Sequence, residues 1–312
     1  MTPPTVFTFG EPLVVLSPGQ QERIVDAAHL IPRVAGSELN VAVALARLGC
    51  SVQYGGAVGS DAFGQLILKA LRAEGLDTQW VARDPDHATG FFLKEWSGPT
   101  EEPGIQYFRR HAAGSVLPIA EWQAAWMQAH WVHVSGITPM LSPHNRTQMV
   151  AAWSHIAGVK SLDVNIRYKL GPIEDWRSCL RPFVAAADVL IGSGEEFQAL
   201  WECEAADVRS AAGMSRQQVV IGTEGGHGAW LDRGQGIEQF PVFPARVVDP
   251  VGAGDGFAAG VIAGRLWGWP WEQAMALGMV VGACAVASLG DYQGYPSRDE
   301  ALTWLKREWI AR

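Results

Sequence analysis

Residues 247–257 read VVDPVGAGDGF, three glycines and two aspartates within eleven positions. An apolar run follows at once: Phe257, Ala258, Ala259, Gly260, Val261, Ile262 and Ala263. The pattern is that of a strand end, a tight glycine turn and the opening of a helix. Such a turn aims several backbone N–H groups at one spot, beside the positive end of the helix dipole, and so favours an anion. Asp255, in the first turn, is then either a helix-start residue or a base held next to that anion.

Outward from this stretch, short apolar runs alternate with amphipathic ones. TVFTFG, SVQYGGAVG, WVHVSG, KSLDVN, DVLIGS and QQVVIGT read as buried strands ending in small or polar residues. Helical patterns occupy residues 38–48, 61–74, 143–156, 174–187, 195–200, 254–266, 271–289 and 298–309. This alternation predicts an α/β fold, a doubly wound, mostly parallel sheet flanked by helices, with ligands at the carboxyl ends of its strands. Two stretches break it. Residues 13–17 with 29–34, and 89–96 with 105–109, read as strands with no helix between, and predict a small separate β-sheet lid drawn from about 11–35 and 88–112. No repeat or low-complexity linker divides the chain, so one domain with a woven-in lid is expected over 1–312.

The 312 residues are 48% hydrophobic and 18% charged with a net charge of −8, enough for a sizeable core and without the basic stripe that nucleic acid demands. Cys50, Cys179, Cys203 and Cys284 are far apart and read as reduced cytosolic thiols. The amino terminus lacks a basic n-region and a long apolar h-region, and the least charged stretch, 274–290, reads as a buried Gly/Ala-rich helix rather than a membrane span. A cytoplasmic protein with no membrane or nucleic-acid partner is expected. The fourteen tryptophans fall mostly in or beside helical patterns and are assigned to packing, with Trp96 in the lid set apart as a candidate for substrate or a lid contact.

The common phosphate motifs are absent: no Gly-Lys dipeptide exists, which excludes a Walker loop, and no G-x-G-x-x-G follows the first strand. H-E-x-x-H and G-x-S-x-G are also missing. What remains is the glycine turn, flanked by Asp249, placed to meet a cation, and Asp255, placed to meet a substrate hydroxyl. TEGGHG at 223–228 offers a second tight turn after a strand, and SGEE at 193–196 offers carboxylates for a hydrated divalent ion. An anion cradle, a carboxylate base and acidic groups for magnesium together point to phosphoryl transfer, in which the protein positions groups and stabilises charge.

DPVGAGDGFAAG (249–260) resembles the C-terminal signature of the ribokinase-like (PfkB) carbohydrate kinases, and residues 33–64 resemble their N-terminal signature. SLDVNIR, SGEE and TEGGHGAW follow in that family's order, so the resemblance spans the chain. GEPLVVL, TGFFLKEW, YFRRHAAGS, VSGITP and GDYQG are most similar to the 2-keto-3-deoxygluconate kinases within it. The resemblance implies ATP and Mg2+, with K+ as a further candidate. It implies that Asp255 is the catalytic base and that Gly252, Ala253 and Gly254 form the anion hole. It places Asn165, Ser193, Thr223, Gly225 and Gly228 on the nucleotide, Ser193 standing where the family commonly has Asn. Glu196, and with it Asp249, would serve the metal indirectly. Gly36, Ser37, Asn40, Phe92, Tyr107, Arg109, Arg167 and Asp291 would surround the sugar. An arginine fork suits a sugar-acid carboxylate, which singles out Arg167, with Arg109 as a second contact. Phe92 and Phe108 stand where related kinases often carry tyrosines.

Three other readings stay open at this level. One is the same kinase acting on fructose, ribose or another neutral sugar. The second is a non-catalytic sugar or nucleotide sensor, and the third a scaffold whose lid serves assembly. The apolar lid face around Phe91 and Leu93 predicts pairing of two copies through their lids.

Overall fold

The computed structural model describes residues 5–19, 22–98 and 103–310, the last four without their side chains. Its strands are β1 (Thr5–Phe9), β2 (Leu13–Ser17), β3 (Ile31–Ala35), β4 (Ser51–Gly59), β5 (Val81–Asp84), β6 (Phe91–Glu95), β7 (Gly104–Phe108), β8 (Trp131–Ser135), β9 (Val159–Asp163), β10 (Val189–Ser193), β11 (Val219–Thr223), β12 (Ala229–Asp232) and β13 (Ile237–Phe240). The helices are α1 (Ser37–Arg47), α2 (Ala62–Ala73), α3 (Gln123–Gln128), α4 (Ile137–Met140), α5 (Pro143–Trp153), α6 (Ile173–Ala186), α7 (Gly194–Trp201), α8 (Val208–Ala211), α9 (Ala253–Leu266), α10 (Trp271–Val286) and α11 (Arg298–Ile310). The large sheet runs β13-β12-β11-β10-β9-β8-β1-β4-β5. Its strands from β5 to β11 are parallel, with registers such as Phe9↔Gly55 and Ser193↔Thr223, while β12 and β13 add an antiparallel edge.

Alternation along the buried strands divides the core into two layers. Val6, Val189 and Ile191 face one cluster with residues of α1, α2, α9 and α10, whereas Phe7, Phe9 and Leu190 face another with residues of α3 to α8. Helices thus cover both faces, and chain order reverses at β1, which lies between β4 and β8. In a doubly wound sheet that reversal opens a crevice at the carboxyl strand ends.

The second sheet, ordered β3-β2-β6-β7, joins two insertions, and the sequence reading of a separate small sheet holds. Residues 20, 21 and 99–102 of those insertions lie outside the described residues. One face, with Leu13, Val15 and Phe92 backed by Ile105 and Tyr107, forms its own apolar cluster. The other is largely covered from within the chain. Val14 and Val34 are buried in the main core, and Phe91 lies 5.5 Å from the Phe63 ring of α2 and stacks on Phe108 at 4.7 Å. On the face from which pairing of two copies was expected, Phe91 and Leu93 are half-buried and Phe108 is exposed. All four cysteines are free thiols, and no helix among the described residues is long and apolar enough to cross a membrane.

Candidate active site

A cleft of ≈ 660 Å³ lies where the ends of β9, β10 and β11, the starts of α1 and α9 and the small sheet converge. Its centre is the turn from which the sequence was read. Gly252 caps α9 at φ 84°, and a Cβ there would stand 1.8 Å from the Asp291 carbonyl oxygen. Only glycine fits that left-handed, crowded position. The first helical bond runs from Gly256 N–H to the Gly252 carbonyl at 2.9 Å, which leaves the preceding amides without helical partners. Ala253 N–H leans on the Pro250 carbonyl at 3.4 Å. A Cβ added to Gly254 would meet nothing within 4 Å, so at that residue the turn faces open space.

Asp255 sits on this first turn and is buried. Its Oδ1 accepts from Ser37 Oγ and its Oδ2 from Asn40 Nδ2, both at 2.7 Å. Ser37 and Asn40 are three residues apart on α1, hence on one helix face. Gly36, φ 141°, starts that helix where a Cβ would stand 2.6 Å from the Glu11 carbonyl oxygen. Asn165 Nδ2 donates to Ser37 Oγ at 2.9 Å, which commits the single hydroxyl proton of Ser37 to Asp255. Asn165 holds φ 45°, an uncommon backbone state for a non-glycine residue. Burial pushes the Asp255 carboxyl up to about 7, against the bonds from Asn40 and Ser37 and the charge of Arg167. A carboxylate poised near neutrality suits proton abstraction.

The remaining expected residues divide as follows. Arg167 is exposed, donates to the Ile166 carbonyl at 3.2 Å and lines the cleft. Phe92 and Tyr107, with rings 5.3 Å apart, line its small-sheet side together with Arg109. Arg109 is not free: its guanidinium forms an ion pair with buried Glu11 and lies over the Tyr107 ring. Asp291 lines the cleft, and burial pushes it up to about 6 although the charge of Lys94 opposes this. Ser193 and Thr223 reach the cleft from the ends of β10 and β11. Ser193 also caps α7, accepting from Glu196 N–H, while Glu196 returns one oxygen to Ser193 N–H at 2.8 Å and gives the other to Ile166 N–H at 2.7 Å.

Four expected residues, and the lid candidate Trp96, stand outside the cleft lining. Ala253 packs against the core. Gly225, φ 54°, has open space before it, whereas Gly228 is explained by packing, since a Cβ there would stand 2.2 Å from the Phe240 carbonyl oxygen. Asp249 is buried beneath the turn and pairs with Lys94 Nζ at 2.5 Å. Trp96 lines a smaller cavity of ≈ 120 Å³ beside that pair rather than the main cleft.

Sequence reasoning missed three buried carboxylates of the cleft. Glu38 accepts from Ser135 N–H at 2.9 Å and from the Ser135 and Thr138 hydroxyls at 2.7 Å each. Glu11 faces Arg109, and Asp163 lies near Asn165, whose Nδ2 is 3.4 Å from its Oδ2. Burial raises all three, most strongly Asp163, which also has Glu196 and Asp255 as like-charged neighbours. Asp163 ends a strand within the quoted SLDVN, a placement that marks it as a cleft residue; burial of Glu11 and Glu38 had no such signal.

Residues 5–298 match the family described as pfkB family carbohydrate kinase. The chain belongs to that family. A 2-dehydro-3-deoxygluconokinase of Bacillus subtilis (strain 168) is 32% identical, with 96% of this chain and 95% of the relative covered. A fructokinase of Escherichia coli is 30% identical over 83% of each. Among solved structures, a putative ribokinase II from Escherichia coli in complex with ATP and Mg2+ superposes with a TM-score of 0.86 at 25% identity, covering 97% of this chain and 99% of that one. A pfkB kinase must seat a hydroxyl acceptor and a phosphoryl donor in one cleft. Here Asp255 lies between a small-sheet side, with Phe92 and Tyr107, and a strand-end side, with Ser193 and Thr223.

Proposed function

We propose that the chain transfers the γ-phosphoryl group of ATP, with Mg2+, to the 6-hydroxyl of 2-keto-3-deoxygluconate (2-dehydro-3-deoxygluconate). The observation that carries this reading is Asp255, held by Ser37 and Asn40 on a helix turn that faces open cleft, with Arg167 lining the same cleft. Asp255 takes the proton of the attacking hydroxyl, and the amides of Gly254 and Asp255 receive the charge that develops on the migrating phosphoryl. Arg167 pairs with the sugar-acid carboxylate. The nucleotide extends towards Thr223 and Gly225. Among the described residues no three His, Cys, Asp or Glu side chains gather to hold a metal. Because both oxygens of Glu196 accept backbone N–H groups, that carboxylate would meet magnesium through water, and the ion would neutralise charge on the phosphates that carry it. The small sheet acts as a lid, its Leu13, Phe92 and Ile105 excluding water from the acceptor side.

The relative from Bacillus subtilis supports the sugar-acid reading. The Escherichia coli fructokinase supports a neutral sugar instead, as does the pairing of Arg109 with Glu11, which takes one of the two expected arginines away from a sugar-acid carboxylate. ADP release measured against 2-keto-3-deoxygluconate, 2-keto-gluconate, fructose and ribose separates the two. Turnover confined to the keto acids is expected, with Asp255→Asn slower by about 10²–10⁴-fold. Turnover on fructose or ribose alone would replace the sugar acid with a neutral acceptor. ADP release untouched by Asp255→Asn would remove that residue from the chemistry.

A further inference from the structure

Asp249 opens the glycine turn, and the sequence marked it as a residue placed to meet a cation. It does meet one, but the cation belongs to the chain. Lys94 Nζ stands 2.5 Å from Asp249 Oδ2, and the two side chains are 11% and 5% exposed. The other contacts of the carboxylate are also donors: Val251 N–H reaches Oδ1 at 3.2 Å, and Gly290 N–H approaches Oδ2 at 3.4 Å. An added monovalent ion would face an ammonium and two amide protons at close range, so these residues do not fit K+. The adjacent small cavity is lined by Arg33 as well as by Glu95 and Asp291, so it is the donors already occupying both oxygens of Asp249 that disfavour K+ there.

We propose that the Lys94 ammonium is the built-in monovalent cation of the phosphoryl-transfer site, so that turnover needs no K+ from solution. The inference rests on the kinase reading above. Through Val251 N–H, Asp249 holds the backbone immediately before Gly252, and so sets the aim of the amides that follow. Unpaired, its buried negative charge would lie beneath an anion cradle and oppose an incoming phosphate. Lys94 cancels that charge. It lies on β6 of the small sheet, 155 residues earlier in the chain, so the neutralising group arrives with the sheet that covers the acceptor. Lys94 is therefore a positioning residue, acting on the cradle through Asp249.

The test compares wild type and Lys94→Met in tetramethylammonium chloride and in KCl. Wild-type turnover, on whichever sugar the panel identifies, is expected to differ by less than about twofold at matched ionic strength. Its melting temperature is expected to be the same in both salts. Lys94→Met is expected to lose at least about tenfold in kcat without K+, to recover as K+ is added, and to gain melting temperature in parallel. Saturable activation or thermal stabilisation of the wild type by K+ would overturn the proposal, as would a Lys94→Met loss that K+ does not repair. If the variant does not fold, the wild-type comparison still decides the matter. If no sugar is phosphorylated, the kinase reading fails, while the melting curves still report whether wild type takes up K+.

Discussion

At the scale of single residues, the proposed function turns on how Asp255 is kept near neutrality. Burial raises it to about 7, while Asn40, Ser37 and Arg167 favour its anion and Asp291 opposes it. As the proposed base it would work only when deprotonated, so kcat/KM for the sugar should fall about tenfold per pH unit below about 7. Arg167→Met removes a positive charge that favours the anion. Its pH–rate profile should therefore shift to higher pH, beyond any loss of sugar-acid binding. A profile that keeps its acid limb in place in Arg167→Met would show that the guanidinium does not act on Asp255. The sequence made Asp255, Ser37 and Asn40 legible because a glycine turn and a three-residue helical spacing are local patterns. It did not show which carboxylates are buried: Glu38 is next to Ser37 and reads as an ordinary helix-start acid, yet it is 2% exposed and bonded to β8 and α4. Lys94 was hidden for the same reason, since its partner comes from a distant part of the chain.

At the scale of elements, the glycine turn contains two glycines with different work to do. Gly252 holds a left-handed backbone with the Asp291 carbonyl oxygen against it, so Gly252→Ala should destabilise the fold by at least about 1–2 kcal/mol from backbone strain, and by more from the clash. Gly254 lies inside the helix with open cleft before it. Gly254→Ala should keep or slightly raise the melting temperature, because alanine is the better helix former, yet impair turnover by placing a methyl in the phosphoryl path. Melting curves and kcat measured on both variants check the division; equal thermal losses would refute it. The helical and central strand patterns were readable because periods of 3.6 and 2 persist over several turns or residues. The edge strands β5 and β13, and β12 beside the latter, were not, since each is only four residues long and half-exposed residues interrupt the apolar pattern of β5 and β13. The short helices α3, α4 and α8, of six residues or fewer, are likewise too brief to carry a period.

For the whole molecule, gathering carboxylates around one cleft has a consequence for stability. Burial raises Glu11, Glu38, Asp163, Asp255 and Asp291 in the folded state, with Asp255 at about 7 and Asp291 at about 6, whereas the unfolded chain titrates near pH 4. The native protein therefore binds more protons than the unfolded one above pH 4. The stability these groups contribute is fully present below their unfolded values and is lost as pH rises through the folded ones. His133, buried and lowered to about 3, acts in the opposite sense, but mostly below its ordinary value near 6.5. Asp61 and Asp84, whose folded values are lowered, also act oppositely, and their window lies below about pH 4. Between pH 6.5 and 8 Asp61 and Asp84 do not act, and Asp255 alone should cost roughly 1 kcal/mol, about twice the opposing gain left to His133. The melting temperature of the ligand-free protein should accordingly fall from pH 6.5 to 8, and Asp255→Asn, which cannot ionise, should flatten the decline. Calorimetry at constant ionic strength measures both curves. A wild-type melting temperature that holds level or rises over this interval would mean that the cleft carboxylates are already ionised in the native state, and Asp255 would then be a weaker base than its burial implies.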